Sequence, residues 1–324
     1  MNASAMPLGL EQLALVERKP RAVTIGNFDG VHRGHQLLLQ TLDAHALHAG
    51  LPRCALTFFP HPATVVAPER APQLLTSLQE RVALLRRGGA DEVVVLRFDE
   101  ALSRLSAESF AADVLAQALG VRHLVVGENF RFGNGQGGDT AFLRQSGARC
   151  GFSVEGVALA HCRGLPVSSS QIRRLLLEGH VARAMRLLGR PHALEGAVVG
   201  GRGVGSKQTV PTLNIDGMAE LVPANGVYVT QTRDEERGAM YPSITNIGLR
   251  PTFDDGHLER TVETFVLGPL VAEPTRIRVE FFRWVRGERK FASPELLRAQ
   301  ILHDVDRAQA FHRRAMKWQI IPRQ

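Results

Sequence analysis

The chain has 324 residues with 39 basic and 32 acidic side chains, and 44% of its residues are apolar. This is the composition of a globular protein large enough for two domains. It holds no uncharged apolar run of about 18 residues, so we expect no membrane span, and its first residues lack the pattern of a signal peptide. Three cysteines without a Cys-x-x-Cys pair argue against a disulfide scaffold or a cysteine zinc site and predict a reducing, cytoplasmic location.

The basic side chains are almost all arginine, since only four of the 39 are lysine. The planar fork of arginine suits phosphate groups, so one hypothesis is a nucleic-acid-binding protein. However, the arginines are scattered and form no basic block accompanied by stacking aromatic residues. This favours a compositional bias of the genome as the cause of the arginine excess, and we expect neither nucleic acid nor a membrane as a partner.

The first half of the chain alternates strand-like and helix-like segments. Short β-branched runs bounded by turn residues predict strands at Arg21–Ile25, Arg53–Phe59, Glu92–Leu96, His123–Gly127 and Phe152–Val157. Helical periodicity predicts helices at His35–His48, Leu78–Arg87 and Ala107–Leu119. This alternation predicts an α/β domain with a doubly wound parallel sheet over residues 1–188, with ligands beyond the carboxyl ends of the strands.

The second half, residues 189–324, follows a different pattern. Two short helices are predicted before it, at Gln171–Leu177 and Val181–Leu188. Strand-like segments without intervening helices follow, at Leu194–Val199, Gly226–Thr232, Ser243–Ile247, Thr261–Val266 and Arg276–Trp284. Consecutive strands joined by short turns predict an antiparallel barrel or sandwich. A final helix is predicted over Pro294–Arg313.

A glycine-rich turn, Gly26–His35, follows the first predicted strand and opens the first long helix. It reads Gly26, Asn27, Phe28, Asp29, Gly30, Val31, His32, Arg33, Gly34, His35. Such a turn presents backbone N–H groups and the positive end of the helix dipole, which together favour a phosphate. His32 and His35, three residues apart, can donate to one oxyanion and stabilise charge on a transferring phosphoryl group. The alternative is a tight turn whose histidines only cap and pack.

Three further segments lie at predicted strand ends or helix starts. Pro60 and Pro62 stiffen the loop that carries His61. The serines 168–170 offer capping hydroxyls and, with Arg173 one turn on, suit an anionic triphosphate, although a plain N-cap run is the alternative. The third segment reads Val126, Gly127, Glu128, Asn129, Phe130, Arg131, Phe132, Gly133.

These four segments, taken in their order along the chain, resemble the nucleotidyltransferase module of the bifunctional riboflavin kinase/FMN adenylyltransferases, the bacterial FAD synthetases. The resemblance implies that the turn binds ATP through Gly26, Asn27, Phe28, Asp29, Gly30, His32, Gly34 and His35. It also implies ATP contacts from Ser169, Ser170 and Arg173, and flavin contacts from His61, Asn129 and Arg131. Phe58 or Phe59 is a candidate to face the flavin ring. Many relatives carry Asp in place of Asn129 and Thr in place of Ser170.

A competing pattern runs from Gly133 to Gly138 and satisfies Gly-x-Gly-x-x-Gly, with Glu155 roughly twenty residues later, as in a nicotinamide dinucleotide site. These glycines do not follow the strand directly, because Glu128 to Phe132 intervene. The tight strand-to-helix turn that such a site needs is therefore not expected.

The second half carries a glycine loop, residues 200–207, which differs from a P-loop because it ends in Gly-Ser-Lys. The segment after it, Val210–Ile215, resembles the Pro-Thr-x-Asn motif of riboflavin kinase. The resemblance implies that Thr212 and Asn214 hold Mg²⁺ and that Gly203 and Gly205 contact ATP. Between Val204 and Val210 the loop departs from the pattern usual in the family, which predicts altered nucleotide affinity.

Further matches extend to the C-terminus, at Asn246–Phe253, Thr261–Thr264 and Lys290–Ser293. The resemblance implies that Glu263 is the general base on the ribityl hydroxyl of riboflavin; a solvated strand carboxylate is the alternative. We therefore expect an FMN adenylyltransferase domain at 1–188 and a riboflavin kinase β-barrel at 189–324, using ATP and Mg²⁺ to make FMN and FAD. The alternative is an adenylyltransferase whose barrel only binds flavin. The sequence does not determine the number of subunits.

Overall fold

The computed structural model describes residues 6–200, 212–251 and 258–317. By its internal contacts the chain divides into two compact units, Met1–Ser169 and Ser170–Gln324. Each unit has a main sheet of its own. The domain boundary expected after residue 188 stays a prediction.

The first unit is built on a parallel sheet of five strands. In chain order these are β1 Arg21–Ile25, β2 Arg53–Phe59, β3 Glu92–Arg97, β4 Val121–Gly127 and β5 Ser153–Val157. Their spatial order is β3-β2-β1-β4-β5, with every neighbouring pair parallel. The chain therefore reverses its direction of growth at β1 and β4, which makes the carboxyl end of β1 a topological switch point.

Helices precede and connect these strands. They are a 3₁₀ helix at Leu10–Leu15, α1 Arg33–Ala49, α2 Pro62–Val66, a 3₁₀ turn at Pro68–Arg70, α3 Leu78–Arg87, α4 Glu100–Ser103, α5 Ala107–Ser109 continued by a π-helical segment Phe110–Ala118, a 3₁₀ turn at Asn134–Gln136, and α6 Thr140–Cys150. A small hairpin, β6 His161–Cys162 and β7 Leu165–Pro166, follows β5.

The sheet is covered on both faces, as the continuous apolar runs of its strands predict. On one face Val23 and Ile25 pack in a core with Leu115. On the other face Ala22 packs in a core with Leu42 of α1. Because both faces are buried, every residue of β1 is buried.

The sequence did not predict α6, and the reason is a glycine. A Cβ at Gly147 would lie 2.4 Å from the carbonyl oxygen of Phe152 and 3.0 Å from its ring. The helix therefore packs closely against the chain that follows it, through Gly147 and the buried Ser146. Small and polar residues on the buried face weaken the apolar period on which helix prediction depends.

The outer edge of β3 is partly covered by the N-terminal segment. The backbone N–H of Leu8 donates to the Val95 carbonyl at 2.8 Å, and the Arg97 N–H donates to the Leu8 carbonyl at 2.8 Å. Leu8 thus forms a parallel bridge beside β3. This contact satisfies backbone groups that an edge strand otherwise leaves open.

The second unit contains a closed barrel. Its elements are α7 Ser169–Leu177, which begins at the last residue of the first unit, then α8 Val181–Leu188, β8 His192–Val199, β9 Leu213–Asp216, β10 Gly226–Asp234, β11 Met240–Pro251, β12 Leu258–Val266, β13 Arg276–Arg286 and α9 Pro294–Lys317. The strand order around the barrel is β10-β11-β12-β9-β8-β13, and all pairs are antiparallel. The predicted fold class is confirmed. Strand β9 was not predicted, because four residues are too few to show a period.

The barrel strands bury both hydroxyls and apolar groups. Thr230, Ser243, Thr245 and Thr264 are fully buried, and their hydroxyls form a chain with O···O distances of 2.7–2.9 Å. Val229 and Ile244, on the opposite face of their strands, pack with Ala308 of α9. His312 of α9 donates from Nε2 to the Thr230 carbonyl at 2.9 Å, and burial lowers the pKa of its imidazole.

No helix within the described residues combines the length and apolar character that crossing a bilayer requires. The three cysteines are free, and burial raises the pKa of the Cys54 thiol to about 12. This thiol is therefore neutral and unreactive at ordinary pH.

Candidate functional site

The turn from Gly26 to His35 lies at the carboxyl end of β1, as predicted, and α1 begins within it at Arg33. Its backbone enters the left-handed region at Phe28 (φ 49°), Gly30 (φ 82°) and Val31 (φ 36°). For a β-branched residue such as Val31 this conformation is unusual and persists only where the surroundings enforce it. The burial of Phe28 and Val31 supplies that enforcement.

The two histidines of the turn are brought together. Their rings stack with centroids 3.6 Å apart and an interplanar angle of 16°. The Nδ1 atom of His32 accepts the backbone N–H of His35 at 3.3 Å, which makes His32 the N-cap of α1. In the neutral ring the proton of His32 then lies on Nε2. Capping and charge stabilisation are thus compatible roles for this imidazole.

Asp29 points into the protein. Its side chain is 1% exposed, and its carboxylate accepts the backbone N–H groups of Leu75, at 2.9 and 3.0 Å, and of Thr76, at 3.2 Å. The hydroxyl of Thr76 in turn accepts the Gly30 N–H at 3.2 Å. Asp29 therefore anchors the turn to the segment before α3, and an ATP contact from this residue is left to its backbone.

The loop after β2 lies beside this turn. The Thr57 hydroxyl donates to the Asn27 carbonyl at 3.1 Å, and Asn27 Nδ2 lies 3.5 Å from His61 Nε2. His61 is the N-cap of α2, since its Nδ1 accepts the Ala63 N–H at 3.2 Å. Phe58 is 8% exposed and packs edge-on against Phe98 in the core, so Phe59, which is half-buried, is the better placed of the two to meet a ligand.

The segment after β4 presents Asn129 and Arg131 to solvent. Arg131 pairs with Asp139 at 3.1 Å. The pKa of Asp139 lies below its ordinary value because the Phe142 N–H donates to its carboxylate, and Arg131 adds to the effect. Phe130 and Phe132 stack with centroids 5.7 Å apart, which leaves the polar side chains of this segment facing outward.

The glycines 133–138 do not form a dinucleotide turn. Strand β4 ends at Gly127, the glycines form a 3₁₀ turn, and α6 begins only at Thr140. Gly133 is held by a close approach to Ala107, whose backbone N lies 2.8 Å from the position of an added Cβ. The strand-to-helix geometry of a nicotinamide site does not form in this segment.

Helix α7 carries the three remaining residues expected to contact ATP in the first half. The Ser169 hydroxyl donates to the Asp29 carbonyl at 2.9 Å, which joins the start of this helix to the turn. Ser170 is exposed and Arg173 half-buried one turn along.

In the barrel, Glu263 occupies the middle of a row across three strands. Glu263 of β12 pairs directly with Asn214 of β9 on one side and with Asn246 of β11 on the other. Directly opposed residues share one face of a sheet. Glu263 is half-buried with its Oε1 atom shielded from solvent. Sequence reasoning noted Asn246 only as part of a motif, because register across strands is not visible along the chain.

The residues expected to hold a metal have suitable donors. Thr212 is exposed and immediately precedes β9, and Asn214 lies two residues on. Hydroxyl, amide and carboxylate oxygens are the hard ligands that Mg²⁺ prefers, together with waters and substrate phosphates. Within the described ranges no group of three or more His, Cys, Asp or Glu could hold a metal. Gly203 and Gly205, and the altered loop from Val204 to Val210, lie outside the described residues.

A cavity of about 450 Å³ opens beside the start of α9. It is lined by Arg289, Lys290, Phe291, Leu296 and Gln300, among others. The Arg289 guanidinium lies over the Phe291 ring at 4.7 Å. Gln300 Nε2 and Arg286 Nε both donate to Asp304, each at 2.7 Å, which ties the strand β13 to α9 below the cavity.

Comparison with known proteins defines a two-domain transferase of flavin nucleotides. The family model for FAD synthetase matches residues 15–171, and the model for riboflavin kinase matches residues 188–312. A bifunctional riboflavin kinase/FMN adenylyltransferase from Pseudomonas fluorescens is 39% identical over 91% of this chain and 94% of its own. The enzyme of that name from Escherichia coli (strain K12) is 35% identical over 94% of this chain and 96% of its own. The chain belongs to the bifunctional riboflavin kinase/FMN adenylyltransferase family.

One solved structure is also similar over nearly the whole chain. It is described as a macrolide-efflux protein from Streptococcus pneumoniae and is 25% identical with a TM-score of 0.82. It covers 94% of this chain and 98% of its own. Efflux belongs to the description of that protein alone, and its likeness to this chain is one of fold.

Gly34 leaves room for the stacked imidazoles, so we expect Gly34→Ala to impair the transfer of the adenylyl group to FMN. An added Cβ would lie 3.2 Å from two atoms of the His32 ring and 3.3 Å from the Val167 carbonyl, which forces the ring to shift. We expect FAD formation to slow about tenfold, because misplaced groups lose alignment. Initial rates of FAD formation measure this. Gly137→Ala is the matched control, since its Cβ makes only an ordinary 3.4 Å contact; equal rates for both variants contradict the prediction.

Proposed function

We propose that this chain makes FMN from riboflavin and ATP in the barrel, and FAD from FMN and ATP at the turn Gly26–His35. The observation that carries the second activity is the pair of stacked imidazoles at the N-terminus of α1. That position combines the first N–H groups of a helix, the helix dipole and two imidazoles at a switch point of the sheet. The partners are then small molecules, the location cytoplasmic, and the domains 1–188 and 189–324.

In the first reaction the riboflavin 5′-hydroxyl attacks the γ-phosphorus of ATP, and ADP leaves. We assign Glu263 as the base that takes the hydroxyl proton. Its strand neighbours Asn214 and Asn246 support the assignment, because an amide can donate to a carboxylate without neutralising its charge. Thr212 and Asn214 are the proposed holders of Mg²⁺, which when bound neutralises charge on the transferring phosphate. Gly203 and Gly205 are the proposed ATP contacts of this domain.

In the second reaction a phosphate oxygen of FMN attacks the α-phosphorus of ATP, and pyrophosphate leaves. The nucleophile is already ionised, so the step needs alignment and charge stabilisation more than a base. His32 and His35 are the proposed donors to the developing charge. Ser169, Ser170 and Arg173 are the proposed ATP contacts on α7, and His61, Asn129 and Arg131 the proposed flavin contacts.

A time course from riboflavin tests both activities. The protein is incubated with riboflavin, ATP and Mg²⁺, and the flavins are separated by chromatography. We expect FMN first and FAD after it, with no FAD when Mg²⁺ is removed by a chelator. If FMN is not formed but supplied FMN is converted to FAD, the barrel only binds flavin. If neither product is formed, the proposal is wrong.

His35→Ala separates the second activity from the first. We expect FAD formation from FMN to fall about 100-fold or more, the cost of removing one donor from a charge-stabilising site. FMN formation from riboflavin stays within twofold, since Glu263 is in the other unit. His48→Ala is the matched control, because His48 is an exposed imidazole near the end of the same helix. Equal losses in both activities contradict the assignment.

Glu263→Gln separates the activities in the opposite direction. The amide keeps the shape of the side chain and loses the proton acceptor, so we expect FMN formation to fall by about 10² to 10⁴. Conversion of supplied FMN to FAD continues at the wild-type rate. Glu273→Gln, an exposed carboxylate of the same unit, is the control. Retention of FMN formation by Glu263→Gln rules out this residue as the base.

A further inference from the structure

A single buried arginine links the two loops that the adenylyl transfer uses. Arg81, in α3, is fully buried. Its Nη1 donates to the Phe58 carbonyl at 3.0 Å, and its Nη2 lies 4.0 Å from Asp29 Oδ1. Nothing along the sequence singles this residue out, since a helix that ends in two further arginines resembles a solvated basic face.

Each of the two contacts of Arg81 holds one of the loops that are proposed to bind a substrate. Asp29 belongs to the turn that carries His32 and His35. Phe58 is the last but one residue of β2, so its carbonyl sets the direction in which the chain leaves for His61. The guanidinium therefore lies between the carboxyl ends of β1 and β2, which are adjacent parallel strands.

The link is rigid for an electrostatic reason. A carboxylate and a guanidinium that are both removed from water are retained only when each is compensated. Asp29 is already fixed by the N–H groups of Leu75 and Thr76. Movement of the turn therefore separates opposite charges inside the protein, and movement of the loop after β2 breaks the hydrogen bond from the buried guanidinium to the Phe58 carbonyl.

We propose that Arg81 is a positioning residue for the transfer of the adenylyl group to FMN. It holds the turn Gly26–His35 and the loop after β2, which carries His61, at the separation that aligns the FMN phosphate with the α-phosphorus of ATP. This inference rests on the adenylyl transfer proposed above. Arg81 is buried and makes its contacts with the protein, so it acts through the alignment of other groups and not on either substrate's affinity.

The test compares Arg81→Lys and Arg81→Met with wild type, at saturating and limiting ATP and FMN. Lysine keeps the charge but lacks the planar fork that serves two partners at once. We expect kcat for FAD formation to fall about tenfold in Arg81→Lys and about 100-fold in Arg81→Met, with both KM values within about threefold of wild type. The riboflavin kinase rate of the same preparations reports the amount of active protein.

Arg21 offers a matched control on the same sheet. It is also buried, and it donates to Glu92 at 2.8 Å and to the Leu119 carbonyl at 3.0 Å. It is the first residue of β1 and so lies at the amino ends of the strands, whereas the turn follows the carboxyl end of β1. Arg21→Lys therefore imposes the same loss of a buried fork, and we expect its kcat to stay within twofold of wild type.

The outcomes divide cleanly. A lower kcat for Arg81→Lys with unchanged KM values, and a normal kcat for Arg21→Lys, support the positioning role. Three results overturn the positioning role: an unchanged kcat in Arg81→Lys, an effect confined to KM, or equal losses of kcat in the two lysine variants. These comparisons decide the question even if Arg81→Met does not fold. A wild-type protein that makes no FAD from FMN overturns the proposed function as well.

Discussion

The turn Gly26–His35 depends on the burial of one carboxylate. Asp29 lies out of solvent with three backbone or hydroxyl donors from the segment before α3, and with Arg81 beside it. Removing the compensation of a buried charge costs about 3–5 kcal/mol, which is a large fraction of the stability of a domain. The turn can therefore keep the positive φ angles of Phe28 and Val31. The stacked imidazoles owe their position to this anchor.

The barrel fixes its candidate site by a different constraint, the register of antiparallel strands. Glu263 lies between Asn214 and Asn246 only because β12 pairs with β9 and β11 at these residues. A slip of one residue would turn the carboxylate to the other face. The buried hydroxyl chain of Thr230, Thr245 and Thr264 opposes such a slip, because each hydroxyl would lose its partner. The interior thus protects the chemistry of the outer face.

The fold was largely predictable, because strands buried on both faces read as short β-branched runs with turn residues between them. Each of the predicted strands overlaps an observed one. The failures have local causes: Gly147 and Ser146 disguise the packed face of α6, and β9 is too short to show a period. Sequence motifs found the turn and Glu263, but a motif does not tell which way a side chain points. The inward direction of Asp29 and Phe58, and the presence of Arg81 beneath both loops, depend on contacts far apart along the chain.

The two sheets also differ in how they end. The barrel closes on itself, so each of its strands has two neighbours. The parallel sheet is open, and Leu8 pairs with the edge strand β3 over part of its length. An unprotected edge strand is a template for pairing with strands of other chains. Removal of the first ten residues would thus expose the edge of β3 while leaving the residues of both candidate sites in place. The result would be aggregation during purification, before any change in turnover.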